Sequence, residues 1–175
     1  MVVKKEKAIR SRIYPKIYDP AYLLTHSNIQ VFKYLLRRTS FGLKPGMTVL
    51  DLGTGAGFYL PYLSKMVLDG GKVYSIENQI PLSNNTIDFT YMAFVFHEME
   101  DPVKFLKELE RVNKPISYLA LIDWKKEERD KGPPPEEVYS EWEVGIMLEE
   151  AGLRVGRVME VGPYAYGFYA MFVKQ

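Results

Sequence analysis

Cysteine is absent from the 175 residues. That removes disulfides, thiolate nucleophiles and cysteine-ligated metals at once. Histidine is nearly as scarce, with only His26 and His97, so a metal site built from several imidazoles is disfavoured. No apolar run is long enough to span a bilayer. The formal net charge is only +1, which leaves no bulk attraction to nucleic acid or to a membrane surface. The opening MVVKKEKAIRSR is basic, but no apolar stretch follows it as a secretory signal requires. Its Lys4, Lys5, Lys7, Arg10 and Arg12 form the one local basic arm. What remains is ordinary for a globular protein: 47% hydrophobic and 26% charged residues, with length for one domain and a sizeable core. A cytoplasmic location is expected. The many Glu and Lys residues without any Cys also suit a thermophile.

Residues 1–42 read as an arm followed by a helix. AYLLTHSNIQVFKYLLRR (21–38) places Leu24, Val31, Tyr34 and Leu35 at helical spacing, and Pro45-Gly46 marks a turn. From 43 to 175 strands and helices alternate. MTVLDL (47–52) is a strand. GFYLPYLSKMVLD (57–69) is a helix with Pro61 in its first turn. KVYSIE (72–77) is a second strand and TIDFTYMAFVF (86–96) a third. DPVKFLKELERVN (101–113) is a helix, with Asp101 as its N-cap and Pro102 at the first helical position. ISYLALIDW (116–124) is a strand apolar enough to be buried on both faces. SEWEVGIMLEEAG (140–152) opens with the capping box Ser140–Glu143. LRVGRVMEVGPYAYGFYAMFVKQ (153–175) is a hairpin turning at Gly162-Pro163. The alternation predicts an α/β fold: an open, mostly parallel sheet, with helices on both faces and an antiparallel C-terminal hairpin.

The chemistry concentrates in VLDLGTGAG (49–57). A strand ends on Asp51, and Gly53, Gly55 and Gly57 follow at alternate positions. Bare backbone lets a ligand approach closely, and such ligands sit beyond the carboxyl ends of the strands. The helix that follows is expected to offer free N–H groups and its positive dipole end. Dinucleotide loops read G-x-G-x-x-G, whereas this one is G-x-G-x-G with an acid two residues ahead. That acid opposes a diphosphate and favours an ammonium or sulfonium group. Glu77, at the end of the next strand, is placed to accept from a ribose. Together these features favour a nucleoside that carries an amino acid and a positive charge.

VLDLGTGAG, KVYSIE, IPLSNNTIDFTYMAFVFHEMEDPVKFLKELERV and YLALIDW together resemble the class I S-adenosylmethionine-dependent methyltransferases, and within them the type 11, UbiE-like branch. The resemblance spans 43 to about 173. It implies a Rossmann-like sheet and S-adenosylmethionine as cofactor. It implies that Asp51, Gly53, Thr54, Gly55, Ala56 and Gly57 hold the methionyl part, and that Glu77 holds the ribose. Phe94 and Val95 would wall the cofactor, and His97 would open to the substrate. His97 is the candidate general base, and Tyr14, Tyr18 and Asp123 are candidate substrate contacts. Residues 1–42 would then act as a substrate lid.

One departure stands out. IENQIPLSNNTIDF runs straight from the second strand to the third, where the family pattern inserts a helix and a strand. Glu77 is then either the ribose acid or the glutamate that precedes I-P-L in relatives. A bared sheet edge would invite pairing with a second copy. The expected function is methyl transfer to a small-molecule acceptor, with no membrane or nucleic-acid partner. The rivals are a non-catalytic scaffold on the same fold and, disfavoured by the glycine spacing, a nicotinamide-dependent oxidoreductase.

Overall fold

The computed structural model describes residues 42–174, except 56, 58, 78, 131 and 162. The expected helix at 21–38, together with Tyr14, Tyr18 and His26, lies outside the described residues. The elements run β1 (Thr48–Leu52), α1 (Leu60–Val67), β2 (Lys72–Ile76), β3 (Ile87–Ala93), α2 (Pro102–Val112), β4 (Asn113–Trp124), α3 (Glu141–Glu150), β5 (Leu153–Glu160) and β6 (Ala165–Val173). Single 3₁₀ turns stand at Phe96–Glu98 and Pro135–Glu137. The strands form one sheet in the order β2-β1-β3-β4-β6-β5. β1 pairs parallel with β2 and β3, and β3 with β4; β6 is antiparallel to both β4 and β5. The terminal hairpin thus forms one border as expected, but its antiparallel member β6 is the inner strand. No helix among the described residues is long and apolar enough to cross a membrane.

Alternation along the strands builds two cores. Leu50, Leu52 and Met92 face α2 and α3, meeting Leu106, Leu109, Val144 and Leu148. Val49, Phe89 and Tyr91 face α1, meeting Tyr59, Leu63 and Val67. Helices therefore cover both faces, which suits a sheet this apolar. Asp101 caps α2 by accepting from the Lys104 N–H at 3.0 Å. The capping box of α3 is complete, with the Ser140 N–H donating to Glu143 Oε2 at 2.7 Å and the Glu143 N–H to Ser140 Oγ at 3.3 Å.

Three boundaries lie three residues from the sequence reading, each for a local reason. α1 begins at Leu60 rather than 57, because the preceding glycines take left-handed backbone that a right-handed helix cannot hold. β3 ends at Ala93 rather than 96, because Phe94 has φ 57°. β4 begins at Asn113, directly after α2 and with no loop. Asn113 makes the junction possible. Its Nδ2 donates to the Leu109 carbonyl at 2.8 Å and to Thr90 Oγ1 at 2.9 Å, and both side chains are fully buried. Replacing Asn113 with Ala strands those acceptors. Urea unfolding is expected to show a loss of about 2 kcal/mol; a loss below a few tenths would contradict this role.

Arg111 ties the short connection from β2 to β3 to α2. Arg111 of α2 donates to the Ile80 and Leu82 carbonyls and to Asn84 Oδ1 at 3.3, 2.9 and 2.8 Å. Ile80 is buried in the core. Among the described strands, β2 is paired on the β1 side alone.

Candidate functional site

The carboxyl ends of β1, β3 and β4 converge on one edge. At the end of β1, Asp51 is 2% exposed. Thr54 Oγ1 donates to its Oδ2 at 2.8 Å. Tyr59 and Tyr91 meet edge to face at 4.8 Å on the same side of the sheet, and Tyr91 lies level with Asp51 in the register of β3. Among the described residues no lysine, arginine or histidine pairs with this carboxylate. Burial pushes its pKa up to about 6, against the lowering hydrogen bond from Thr54 and with help from the Glu77 charge. Burial likewise pushes the Tyr59 hydroxyl up to about 12.

The loop after Asp51 is held by its own amides. The Gly53 N–H donates to the Ile76 carbonyl at 2.8 Å, and the Gly57 N–H to the Thr54 carbonyl at 2.8 Å. The Gly55 N–H donates to Glu77 Oε1 at 2.7 Å. Free N–H groups are expected of the helix that follows; the three glycine amides ahead of it are all spent within the protein. A phosphate would meet two carboxylates here and no glycine amide. A cation would meet the opposite. Glu77 is exposed, with one oxygen committed to the loop.

Two of the glycines are needed for different reasons. Gly53 has φ 67°, and a Cβ there would lie 2.6 Å from Val95 Cγ2. Val95 is thereby brought onto the loop. Gly55 has φ 50°, and a Cβ there would meet nothing within 4 Å among the described residues. Those residues leave the space over Gly55 open.

Past β3 the chain turns sharply. Phe94, left-handed at φ 57°, donates its N–H to the Ile122 carbonyl at 2.8 Å. Its ring packs 4.8 Å from that of Trp124. Arg129 lies 5.0 Å over the Trp124 ring and donates from Nη2 to the Pro133 carbonyl at 2.7 Å, closing the loop after β4. Three residues beyond Phe94, His97 is 6% exposed. Its N–H donates to Asp123 Oδ2 at 2.9 Å, and its Nδ1 lies 2.7 Å from Asp123 Oδ1. The Trp124 N–H also donates to Asp123 Oδ1, at 2.8 Å.

Of the residues singled out from sequence, Asp51, Gly53, Thr54, Gly55, Gly57 and Glu77 therefore come together at one loop, with Val95 against it. Ala56, Tyr14 and Tyr18 lie outside the described residues. Asp123 is placed differently from expectation. At 1% exposure, and with both oxygens held inside the protein, it has no free face for substrate. It anchors His97 instead. The Tyr59–Tyr91 pair and the Trp124–Arg129 clamp were missed. Tyr91 at least had a signal, since it falls at an alternate position of a strand next to that of Asp51.

Relatives now decide the family. A methyltransferase-domain family model matches residues 69–121, and one for protein-L-isoaspartate(D-aspartate) O-methyltransferase matches 15–88. The crystal structure of a SAM-dependent methyltransferase from Aquifex aeolicus is 58% identical, covers 83% of this chain and 89% of its own, and superposes with TM-score 0.74. The chain belongs to the S-adenosylmethionine-dependent methyltransferases. A type 11 methyltransferase structure from Sulfolobus solfataricus shares the fold at 22% identity and TM-score 0.67, covering 83% of this chain and 93% of its own. The rice protein "Cycloartenol-C-24-methyltransferase 1" (Oryza sativa subsp. japonica) is 30% identical over 47% of this chain. The chain spans about a third of that curated relative's length, 32%.

The cofactor of this methyltransferase family is S-adenosylmethionine, and the loop fits it. Asp51 is a buried anion without a cation beside it among the described residues, and the ligand carries an ammonium and a sulfonium. The open backbone at Gly55 leaves room for its chain.

Proposed function

We propose that this methyltransferase transfers the methyl group of S-adenosylmethionine to a small-molecule acceptor. The observation that carries the reading is the buried carboxylate of Asp51, which meets no cation among the described residues, beside a loop whose glycine amides are already spent. In this reading Asp51 and Thr54 hold the ammonium end. Gly55 gives the ligand its close approach on the loop that Gly53, Ala56 and Gly57 complete, and Glu77 offers its remaining oxygen to the ribose. Phe94 and Val95 wall the opposite side.

When bound, S-adenosylmethionine supplies a methyl carbon activated by the adjoining sulfonium. The protein's work is then mainly to align the acceptor with that carbon and to keep water out. Phe94, Val95 and the clamped Trp124–Arg129 loop supply apolar cover on the acceptor side.

A second reading has its own support. The described residues between β2 and β3 form no helix or strand, and this leaves less protein around the far end of a nucleoside. A scaffold that binds no cofactor would share this feature. Isothermal titration with S-adenosylhomocysteine separates the two. Micromolar binding is expected, and no heat at millimolar ligand would leave the scaffold reading standing.

A further inference from the structure

The His97–Asp123 pair bears on a question that the cofactor loop leaves open, the chemistry of the acceptor. The pair does not depend on loops for its geometry. Asp123 belongs to β4, and β4 is in register with β3, Ala93 standing opposite Ile122. His97 follows β3 by four residues, on the turn whose Val95 packs against Gly53. The pair therefore sits on the same edge as the cofactor loop, in the next strand position.

Its hydrogen bonds fix the imidazole. The backbone N–H of His97 and its Nδ1 take one oxygen each of the same carboxylate, at 2.9 and 2.7 Å. That two-point grip holds the ring's position and sets its tautomer: the proton resides on Nδ1, facing the carboxylate. Nε2 is left with its lone pair, and it has no hydrogen-bond partner among the described residues. A buried carboxylate behind an imidazole also stabilises the ring once it is protonated. Other titratable and charged groups surround the pair. Glu98 adjoins His97 in the same turn, Arg129 comes from the loop after β4, Tyr139 precedes α3, and Tyr166 of β6 lies level with Asp123. Arg129, Tyr139 and Tyr166 all feel the Asp123 charge. Burial holds both tyrosine hydroxyls protonated, and Arg129 is a cation. None of those three can serve as a base near neutrality.

We infer that His97 Nε2 accepts a proton from the acceptor, that Asp123 is its positioning residue, and that the acceptor is therefore a compound that loses a proton as it is methylated, at O–H, N–H, S–H or C–H, rather than a thioether or a carboxylate. This rests on the methyltransferase reading. The X–H proton goes to Nε2, the freed electron pair forms the X–CH3 bond, and the C–S pair returns to sulfur. The positive charge that began on sulfur ends on the imidazolium, beside Asp123. Acceptors that attack without losing a proton have no use for such a pair.

The test needs no knowledge of the acceptor. In a His26→Gln chain, His97 is the sole histidine, and nitrogen NMR of the labelled ring reports both tautomer and titration. The free protein is expected to show the Nδ1–H tautomer. Titrations are then run with S-adenosylhomocysteine and with sinefungin, in which an amine-bearing carbon replaces the sulfur and the ammonium stands where the methyl would be. If Nε2 faces the transfer point, the sinefungin ammonium depresses the His97 titration by about one unit more than S-adenosylhomocysteine does. Binding of both ligands with superimposable His97 titrations would overturn the inference and leave His97 as an anchor of its turn. Failure of both ligands to bind, read in the same samples by calorimetry, would overturn the methyltransferase reading along with it. Replacing Asp123 with Asn should shift the ring toward a mixture of tautomers; an unchanged Nδ1–H tautomer would deny Asp123 its positioning role.

Discussion

Replacing Asp51 with Asn is expected to stabilise the free protein and destroy its ligand binding in the same step. The carboxylate is nine-tenths and more buried, has no cation beside it among the described residues, and titrates at about 6 rather than 3.8. In the folded protein the proton is therefore held more tightly than in the unfolded chain. The folded state carries no penalty below about pH 4, where both states are protonated. It loses stability as pH rises from there to 6, and above 6 the loss is complete. A shift of about two units corresponds to about 3 kcal/mol. Asparagine keeps an acceptor for Thr54 but has no charge to desolvate. In urea unfolding, the stability gain of Asp51→Asn should be near zero at pH 4 and about 2–3 kcal/mol at pH 8. A gain that does not depend on pH would show that the carboxylate is not desolvated.

The same charge governs binding. Only ionised Asp51 attracts an ammonium, so affinity for S-adenosylhomocysteine should weaken about tenfold for each pH unit below 6. Removing one partner of a buried ion pair is worth about 3 kcal/mol or more, a hundredfold or greater rise in Kd. Calorimetry on Asp51→Asn at pH 8 reads this directly. Retained affinity would move the ammonium site elsewhere.

The second large effect separates two glycines that look alike in sequence. Gly53→Ala forces left-handed backbone on a residue with a side chain, at about 1–2 kcal/mol. It also drives a methyl into Val95, where a Cβ would lie 2.6 Å from Cγ2. Overpacking of that kind adds about 1–3 kcal/mol. The sum falls in free-protein stability, before any ligand is present. Gly55→Ala pays only the backbone part, since its Cβ meets nothing within 4 Å among the described residues. Its effect should instead appear as a loss of S-adenosylhomocysteine affinity larger than its loss of stability. If Gly55→Ala binds as well as the parent chain, the ligand does not pass over that glycine.

That contrast also marks the limit of what the sequence could tell. The strand–glycine loop–helix pattern, the caps at Asp101 and Ser140, and the terminal hairpin were all legible, because each is set by neighbours along the chain. The acid and glycines of the loop were legible for the same reason. Phe94 was not: nothing in TYMAFVF announces a left-handed phenylalanine, which the sheet and the Trp124 ring impose from a distance. The abrupt passage from α2 to β4 was hidden as well, since it depends on Asn113 reaching Thr90 across the sheet. Asp123 was misplaced because a carboxylate at a strand end looks free until the histidine that claims both its oxygens is seen, 26 residues away.

β4 is tied to its neighbour at both ends, by Asn113 to Thr90 at its start and by Asp123 to His97 at its finish. These ties lie within the sheet and its first turn, and none passes through the long loop between β4 and α3. Lengthening, shortening or rewriting that loop leaves both ties of β4 in place, so the surroundings of the site can change while the His97–Asp123 pair keeps its footing.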